Sequence, residues 1–283
     1  MYGSINRWKL RTQTLTAGRI PLLMGIINVT PDSFSDGGKF LDPAAAVDHG
    51  LQLADEGADL LDIGGQSTRP GAEPVDADEE LRRVVPVVHT LAEQSFVPIS
   101  VDTDKVTVAR EALAAGAEVI NDVTGLQGGP AMVSLAAESN CGVCVMHMQG
   151  TPQTMQHAPV YDNVVEEIFS YLKDRRDALI EAGVEQSRIT LDPGIGFGKT
   201  AEHNLALLSN VARFHDLGCP ILIGHSRKRF IGEVLDDNEA DRGAGTIGVA
   251  LSLARQGVQI VRVHDVGAVR QALLLYEATG GLL

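Results

Sequence analysis

Eight short apolar runs in this chain give way to residues that can do chemistry. They end at Asn28, the loop GGQSTRP (64–70), Asp102, Asn121, His147, Asp192, the SRK of 226–228, and Arg262 with His264. Asp102, Asn121 and Asp192 offer a carboxylate, an amide and a second carboxylate. That set complements a flat heterocycle edged with N–H groups and a carbonyl. Lys228, Arg262, His264 and Arg69 gather positive charge on a chain whose 37 Asp and Glu outnumber its 23 Lys and Arg, a net −14. Cations concentrated this way on an acidic protein fit a phosphate or pyrophosphate. Asn28 offers a neutral oxygen, suited to a Mg²⁺ ion that keeps several waters and is otherwise held by substrate phosphates. Any buried strand must turn polar before its loop, so one or two such ends would mean little. An ionisable carboxylate at a barrel mouth is costly unless it is paired or used, and with all eight ends polar a functional mouth is the better reading.

The elements that must position these groups follow from the runs themselves, at about 21–29, 59–64, 98–102, 119–123, 142–147, 188–192, 220–224 and 260–264. Continuous Val/Ile/Leu runs are strands buried on both faces, as in a parallel sheet. Helix-period segments lie between them. One has Asp42 as N-cap, Pro43 at its first position and Gly57 as C-cap. The next opens on the capping box Asp76-x-x-Glu79, with Leu81, Val84, Val85 and Val88 on one face. DKVTVAREALAAGA ends at Gly116, with Asp104 as its N-cap; 161–182 carries Val165, Ile168, Phe169 and Leu172 inward and stops at Gly183; HNLALLSNVARFHDLG and AVRQALLLYEATGG complete the series. Strand then helix, eight times, predicts an α/β fold: a (β/α)8 TIM barrel in a single domain over 21–283. Residues 1–20 are expected to form a short N-terminal β-hairpin closing the barrel bottom. An open doubly wound sheet would need a GxGxxG turn after its first strand, and NVTPDSFSDGG (28–38) has none. GIGFGKT (194–200) resembles a phosphate loop, but Pro193 stands where that motif needs Gly.

Composition narrows the class further. An acidic surface repels phosphate backbones and anionic lipid, so neither nucleic acid nor membrane is an expected partner. No basic leader with an apolar core and no bilayer-length apolar run is present, and the expected compartment is the cytoplasm. Three Cys argue against a disulfide framework. Cys141 and Cys144 have CxxC spacing but sit in the apolar run CGVCVMH, so they are expected as buried strand thiols.

The strand-end motifs resemble dihydropteroate synthase. They are MGIINVTPDSFSDGG (24–38), DIGGQSTRPGA (62–72), SVDT (100–103), NDVTG (121–125), VMHMQGTP (145–152), LDPGIGFGK (191–199), SRKRFIG (226–232) and RVHDV (262–266), in the family's order across essentially the whole chain. The resemblance implies a transferase that joins p-aminobenzoate to 6-hydroxymethyl-7,8-dihydropterin pyrophosphate in folate biosynthesis. The products would be 7,8-dihydropteroate and pyrophosphate, formed by Mg²⁺-assisted, SN1-like substitution. Carried over residue by residue, it implies a pterin pocket of Asp102, Asn121, Met146, Asp192, Lys228 and Arg262. Asn28, Arg69, Arg262 and His264 would hold pyrophosphate, with Asn28 also toward the metal. Phe34, Thr68, Arg69, Pro70, Ser226 and Arg229 would serve p-aminobenzoate and the mouth loops, the substrate carboxylate lying at the helix that starts near Lys228 and Arg229. Asp102, Lys228, Arg262 and His264 would carry the catalysis, Thr30–Gly38 would be a mobile flap, and a homodimer is implied.

Two departures from the family's pattern stand out: Gln66, where Glu is common, and His225, where many members have a smaller or apolar residue. Neither removes a residue with an implied catalytic role, although His225 bears on the p-aminobenzoate end and the response to sulfonamides. His147 is expected either to be structural or to support the residues that touch substrate, since its ten-residue spacing to His157 fits no usual metal site. The rivals are a pterin-binding methyltransferase barrel, which needs neither SRK nor RVH, and a catalytically silent pterin-binding paralogue.

Overall fold

The computed structural model describes residues 6–30, 43–67 and 71–282. A two-stranded antiparallel hairpin, β1 (Arg7–Lys9) and β2 (Thr14–Thr16), precedes eight parallel strands. These are β3 (Leu22–Asn28), β4 (Leu60–Gly64), β5 (Ile99–Asp102), β6 (Val119–Asp122), β7 (Gly142–Met146), β8 (Ile189–Asp192), β9 (Leu222–Gly224) and β10 (Ile260–Val263). The strands pair in chain order, and β10 sits between β3 and β9. A parallel bridge between Leu191 and Ile221, with the Leu191 amide donating to the Pro220 carbonyl at 3.0 Å, joins β8 to the start of β9 and closes the ring. The expected (β/α)8 barrel is the observed one.

Alternation along each strand divides the side chains into two populations. Leu23, Leu61, Ile99, Ile120, Val143, Ile189, Ile223 and Val261 face outward and pack in the large cluster beneath the helices. Met24, Leu60, Val119, Cys144, Leu222 and Ile260 face inward and form a separate cluster on the barrel floor with Trp8 and Leu10. The hairpin therefore plugs the bottom of the barrel. The Trp8 indole N–H donates to the Arg188 carbonyl at 2.9 Å, and Glu118 accepts from the Thr12 amide at 2.8 Å and hydroxyl at 2.5 Å. Gly142 is what permits this approach, because a Cβ there would sit 3.1 Å from Leu10 Cδ2 and 3.3 Å from Trp8 Nε1.

The outer layer is α1 (Pro43–Asp55), α2 (Ala77–Gln94), α3 (Val106–Ala114), α4 (Pro130–Ser139), α5 (Val164–Glu181), α6 (Ala201–Ser209), α7 (Arg229–Val234), α8 (Gly243–Arg255) and α9 (Val266–Ala278). Several local expectations change. Asp76 caps α2 through the Glu79 amide at 2.8 Å, but the Glu79 carboxylate turns to Arg83 at 2.7 Å, so the box is only half formed. The buried stripe of α2 is Glu80, Val84, Val87, Val88 and Leu91, which leaves Leu81 and Val85 only partly covered. Asp104 does not cap α3: the cap position is Lys105, whose amide donates to Thr103 Oγ1 at 3.2 Å, and Asp104 leans to the Lys105 ammonium at 3.3 Å. The 203–218 segment divides into α6 and a short 3-10 stretch, Val211–Leu217. Helices α4 and α8 had no clear periodic signal, because small residues fill them. Asp42, as a cap, lies outside the described residues.

Truncating Trp8 to Ala should remove a side chain that is 1 % exposed together with its hydrogen bond. The expected cost is about 3–5 kcal/mol, measured as a shift in the urea unfolding midpoint. An unchanged midpoint would mean that the hairpin is an appendage and not a plug.

Candidate active site

Above the floor, several inward rows change from apolar to polar or charged. From β4 comes Asp62, from β5 Asp102, from β6 Asn121, from β8 Asp192 and from β10 Arg262. Arg262 occupies the centre. Its Nε donates to Asp62 Oδ2 at 2.5 Å and its Nη2 to Asp102 Oδ2 at 2.9 Å. Asn121 Nδ2 also donates to Asp62 Oδ2, at 3.1 Å. Burial pushes the Asp102 carboxyl well above the usual carboxylate range; Arg262 pulls it back, and Asp62, Glu80 and Asp122 add to the rise. Arg262, held by two carboxylates, has its own proton bound more firmly than usual despite its burial.

The far wall comes from β8 and β9. Asp192 Oδ1 accepts the Gly194 amide at 2.7 Å, and burial raises its carboxyl against the opposing pull of Lys228. The Lys228 ammonium donates to the Ile195 carbonyl and sits 4.5 Å from the centre of the Phe197 ring. Burial brings it down to about 8, with Asp192 opposing. Met146, at the end of β7, is buried and inward-facing. Inward-facing Gly64 and Gly224 carry no side chain, and a Cβ on either would lie 3.4 Å from Asp102 Cβ or 3.8 Å from Arg262 Cβ. Those two positions leave room for a flat ring between the carboxylates. The upper rim holds Ser226 and His264, joined Oγ to Nδ1 at 2.9 Å. His225 points the other way, as alternation requires. It is fully buried, bonded through Nε2 to the Thr246 carbonyl at 3.0 Å, and held neutral by burial with its acidity near about 4. Thr246 Oγ1 in turn accepts the Arg227 amide at 3.0 Å, so His225 and Thr246 together brace the SRK turn, in which Arg227 has φ +56°.

The structure thus brings Asp102, Asn121, Met146, Asp192, Lys228 and Arg262 to one interior, with Ser226 and His264 on its rim. Asn28 stands half-buried at the end of β3 on the same inward row. Arg229 is not drawn in: it is exposed and paired with Glu233 at 2.8 Å, on a helix of six residues. Phe34, Thr68, Arg69 and Pro70 lie outside the described residues, as does the expected flap beyond Thr30.

Sequence reasoning missed Asp62, although it is a charge in the middle of the apolar strand LLDIG. It also passed over Lys199, whose ammonium is enclosed against His147 Nδ1 at 3.1 Å and the Phe197 carbonyl at 2.8 Å. Burial and that ammonium push His147 down to about 3, so its ring is neutral. Gln66 accepts from the Lys105 ammonium at 2.7 Å and the Val75 amide at 3.1 Å, and Lys105 also neutralises the fully buried Glu80 at 2.6 Å. A Glu at 66 would put a third carboxylate on that one ammonium, beside Glu80 and Asp104.

Residues 24–264 match the family described as pterin binding enzyme. The dihydropteroate synthase of Escherichia coli strain K12 is 46% identical over 92% of this chain and 92% of its own. The chain belongs to the dihydropteroate synthase family of pterin-binding enzymes. Among solved members, the Xanthomonas albilineans dihydropteroate synthase with 4-aminobenzoic acid has a TM-score of 0.89 at 46% identity, covering 97% of this chain and 98% of that one. The same organism's enzyme in complex with 7,8-dihydropteroate has a TM-score of 0.86 at 44% identity, covering 96% and 98%. Family membership accounts for the run of strand-end motifs, and the geometry above shows that Asp102, Asn121, Asp192 and Arg262 stand at inward positions.

Gly194 offers a test of the pocket wall. It has φ +71°, and a Cβ there would fall 1.9 Å from the His147 carbonyl oxygen. Gly194→Ala must therefore shift the backbone that holds Asp192 and should weaken pterin binding by about tenfold or more, read by fluorescence titration with the pterin pyrophosphate.

Proposed function

We propose that this mouth binds 6-hydroxymethyl-7,8-dihydropterin pyrophosphate and p-aminobenzoate, and joins them to 7,8-dihydropteroate with release of pyrophosphate. The observation that carries this reading is the interior ring of Asp102, Asn121, Asp192, Lys228 and Arg262 on a chain of this family. The carboxylates and the amide are acceptors for the N–H edge of the pterin, and Arg262 lies where its planar guanidinium can cover a ring face. The C–O bond between the pterin methylene and pyrophosphate breaks, and its electron pair leaves with pyrophosphate. The methylene carbon becomes cationic beside Asp102, whose carboxylate stabilises it in a site with little water. The neutral arylamine of p-aminobenzoate then forms the C–N bond and gives up a proton. That amine is weakly basic and carries its own lone pair, so no strong general base is required. His264 on the rim, held by the Ser226 hydroxyl, and Arg262 below favour the departing anion.

The metal expected with the pyrophosphate is Mg²⁺. Among the described residues no group of His, Cys, Asp and Glu could hold an ion alone. Asn28 supplies a single neutral oxygen at the end of β3, a donor set that fits an ion held mainly by substrate phosphates and water. Bound there, it would offset charge building on pyrophosphate. We also read the protein as a cytoplasmic homodimer. Three buried free cysteines support a reducing compartment, and the exposed apolar Val234, Leu235, Leu274 and Leu275 on α7 and α9 support a second copy. No described helix is long and apolar enough to cross a membrane.

Incubating the protein with the pterin pyrophosphate, p-aminobenzoate and Mg²⁺ should release pyrophosphate, and no release would sink the synthase reading. Asp102→Asn should lower kcat by about a hundredfold or more, because an amide cannot supply the negative charge. The wild-type pH profile adds a sign. Asp102 works ionised and its carboxyl is raised, so activity is full above the raised value and is lost as pH falls through it. The acid limb should therefore lie well above the pH at which a free Asp titrates.

A further inference from the structure

Asp62 touches both Arg262 and Asn121, faces the barrel interior, and has no part in the mechanism just described. Its side chain is completely buried, and Oδ2 alone receives both donors, Arg262 Nε at 2.5 Å and Asn121 Nδ2 at 3.1 Å. Among the described residues Oδ1 has no partner, and neither does the hydroxyl of Ser100, its register partner on the next strand. A carboxylate buried with one oxygen unused is a poor device for stability, since a buried ion pair often does no better than apolar residues of the same volume. It is a good device for holding two other side chains in one orientation.

We propose that Asp62 is a positioning residue for the pterin site: its carboxylate fixes the guanidinium of Arg262 and turns the amide oxygen of Asn121 toward the substrate. This rests on the functional reading above. An amide alone has no preferred way round, and its oxygen and nitrogen exchange places by a half-turn. A carboxylate paired with a guanidinium accepts and cannot donate, so it selects the Asn121 orientation with Nδ2 toward Asp62. Asn121 Oδ1 is then left facing the pocket as an acceptor. With Asp102 and Asp192 it makes three acceptors around the ring, a set that selects a heterocycle rich in N–H groups over one rich in ring nitrogens with lone pairs. Asp62 acts on Arg262 in parallel. Asp102 can exchange its Arg262 contact for a substrate N–H, because the second carboxylate keeps the guanidinium in place.

The isosteric variant Asp62→Asn removes this selection without changing volume. Expected are a KM for the pterin pyrophosphate raised about tenfold and a KM for p-aminobenzoate essentially unchanged. The acid limb of kcat/KM should also move to lower pH. The groups bearing on Asp102 are Arg262, Asp62, Glu80, Asp122 and Lys228. Removing the Asp62 charge takes away one repulsion and leaves Arg262, already bonded to Asp102, with no competing carboxylate, so both effects lower the limb. A merely structural role would instead lower kcat and the melting temperature and raise both KM values together, and that pattern overturns the proposal, as does an unchanged pterin KM. The exchange D62N/N121D keeps one carboxylate–amide contact and leaves an acceptor facing the pocket. It should recover most of the pterin affinity, and failure to recover any counts against the proposal. It carries the same readout if D62N does not fold. Direct titration with the pterin pyrophosphate, without p-aminobenzoate, separates the two hypotheses. Wild-type binding that weakens in D62N supports the positioning role even if pyrophosphate release fails and the synthase reading falls.

Discussion

Arg262 holds two carboxylates at once, and most of the interior is arranged around that contact. Asp62 and Asp102 approach from neighbouring strands, and neither would be tolerable in a barrel core without the guanidinium between them. The arrangement has consequences on every side. Glycines at 64 and 224 leave the space above the carboxylates open, and Asn121 is drawn into the same network. Asp102 is left with a raised carboxyl poised to respond to a ligand. Among the described residues these contacts stand without a bound ligand, a preorganisation that favours charge stabilisation without later rearrangement.

The barrel makes this possible by separating its inner face into two storeys. Below, Trp8 and Leu10 from the hairpin complete an apolar floor with residues from six strands. Above, three of the same inward rows turn polar within two residues, at Asp62, Asn121 and Arg262. The floor excludes water from beneath the charged layer, which strengthens every contact in it, and the outward rows fasten each strand to its helices so that the charged ends keep their spacing. The supporting contacts outside the pocket follow one logic. Lys199 against His147, Lys105 against Glu80 and Gln66, and His225 against Thr246 each tie a strand end to a neighbouring element through a buried polar group.

Much of this was legible along the chain. Eight apolar runs, each followed by a polar end, were enough for the barrel, and the run of Asp102, Asn121, Asp192, Lys228 and Arg262 was enough for the pocket. The losses have physical causes. Asp104 was expected to cap α3, but it leans to the Lys105 ammonium, and α3 starts without a side-chain cap. The pairing of Arg229 with Glu233 one turn along its six-residue helix is a local contact that strand-end patterns do not foresee. Helices α4 and α8 were passed over because Ala, Gly and Ser carry little hydrophobic period. Asp62 was overlooked because attention went to strand ends, and it sits two residues before one.

The order of the chain by itself determined the fold class, the inward or outward sense of each strand residue, and the chemical inventory of the mouth. Those follow from a period of two and from which residue types water will not release cheaply. Only the tertiary structure decided who pairs with whom. Arg262 lies 200 positions from Asp62 and 160 from Asp102, and no local pattern can say that a closing ring will set these three side chains against one another. The same holds for NVTPDSFSDGG, whose first residue stands on the inward row because β3 places it there between β4 and β10.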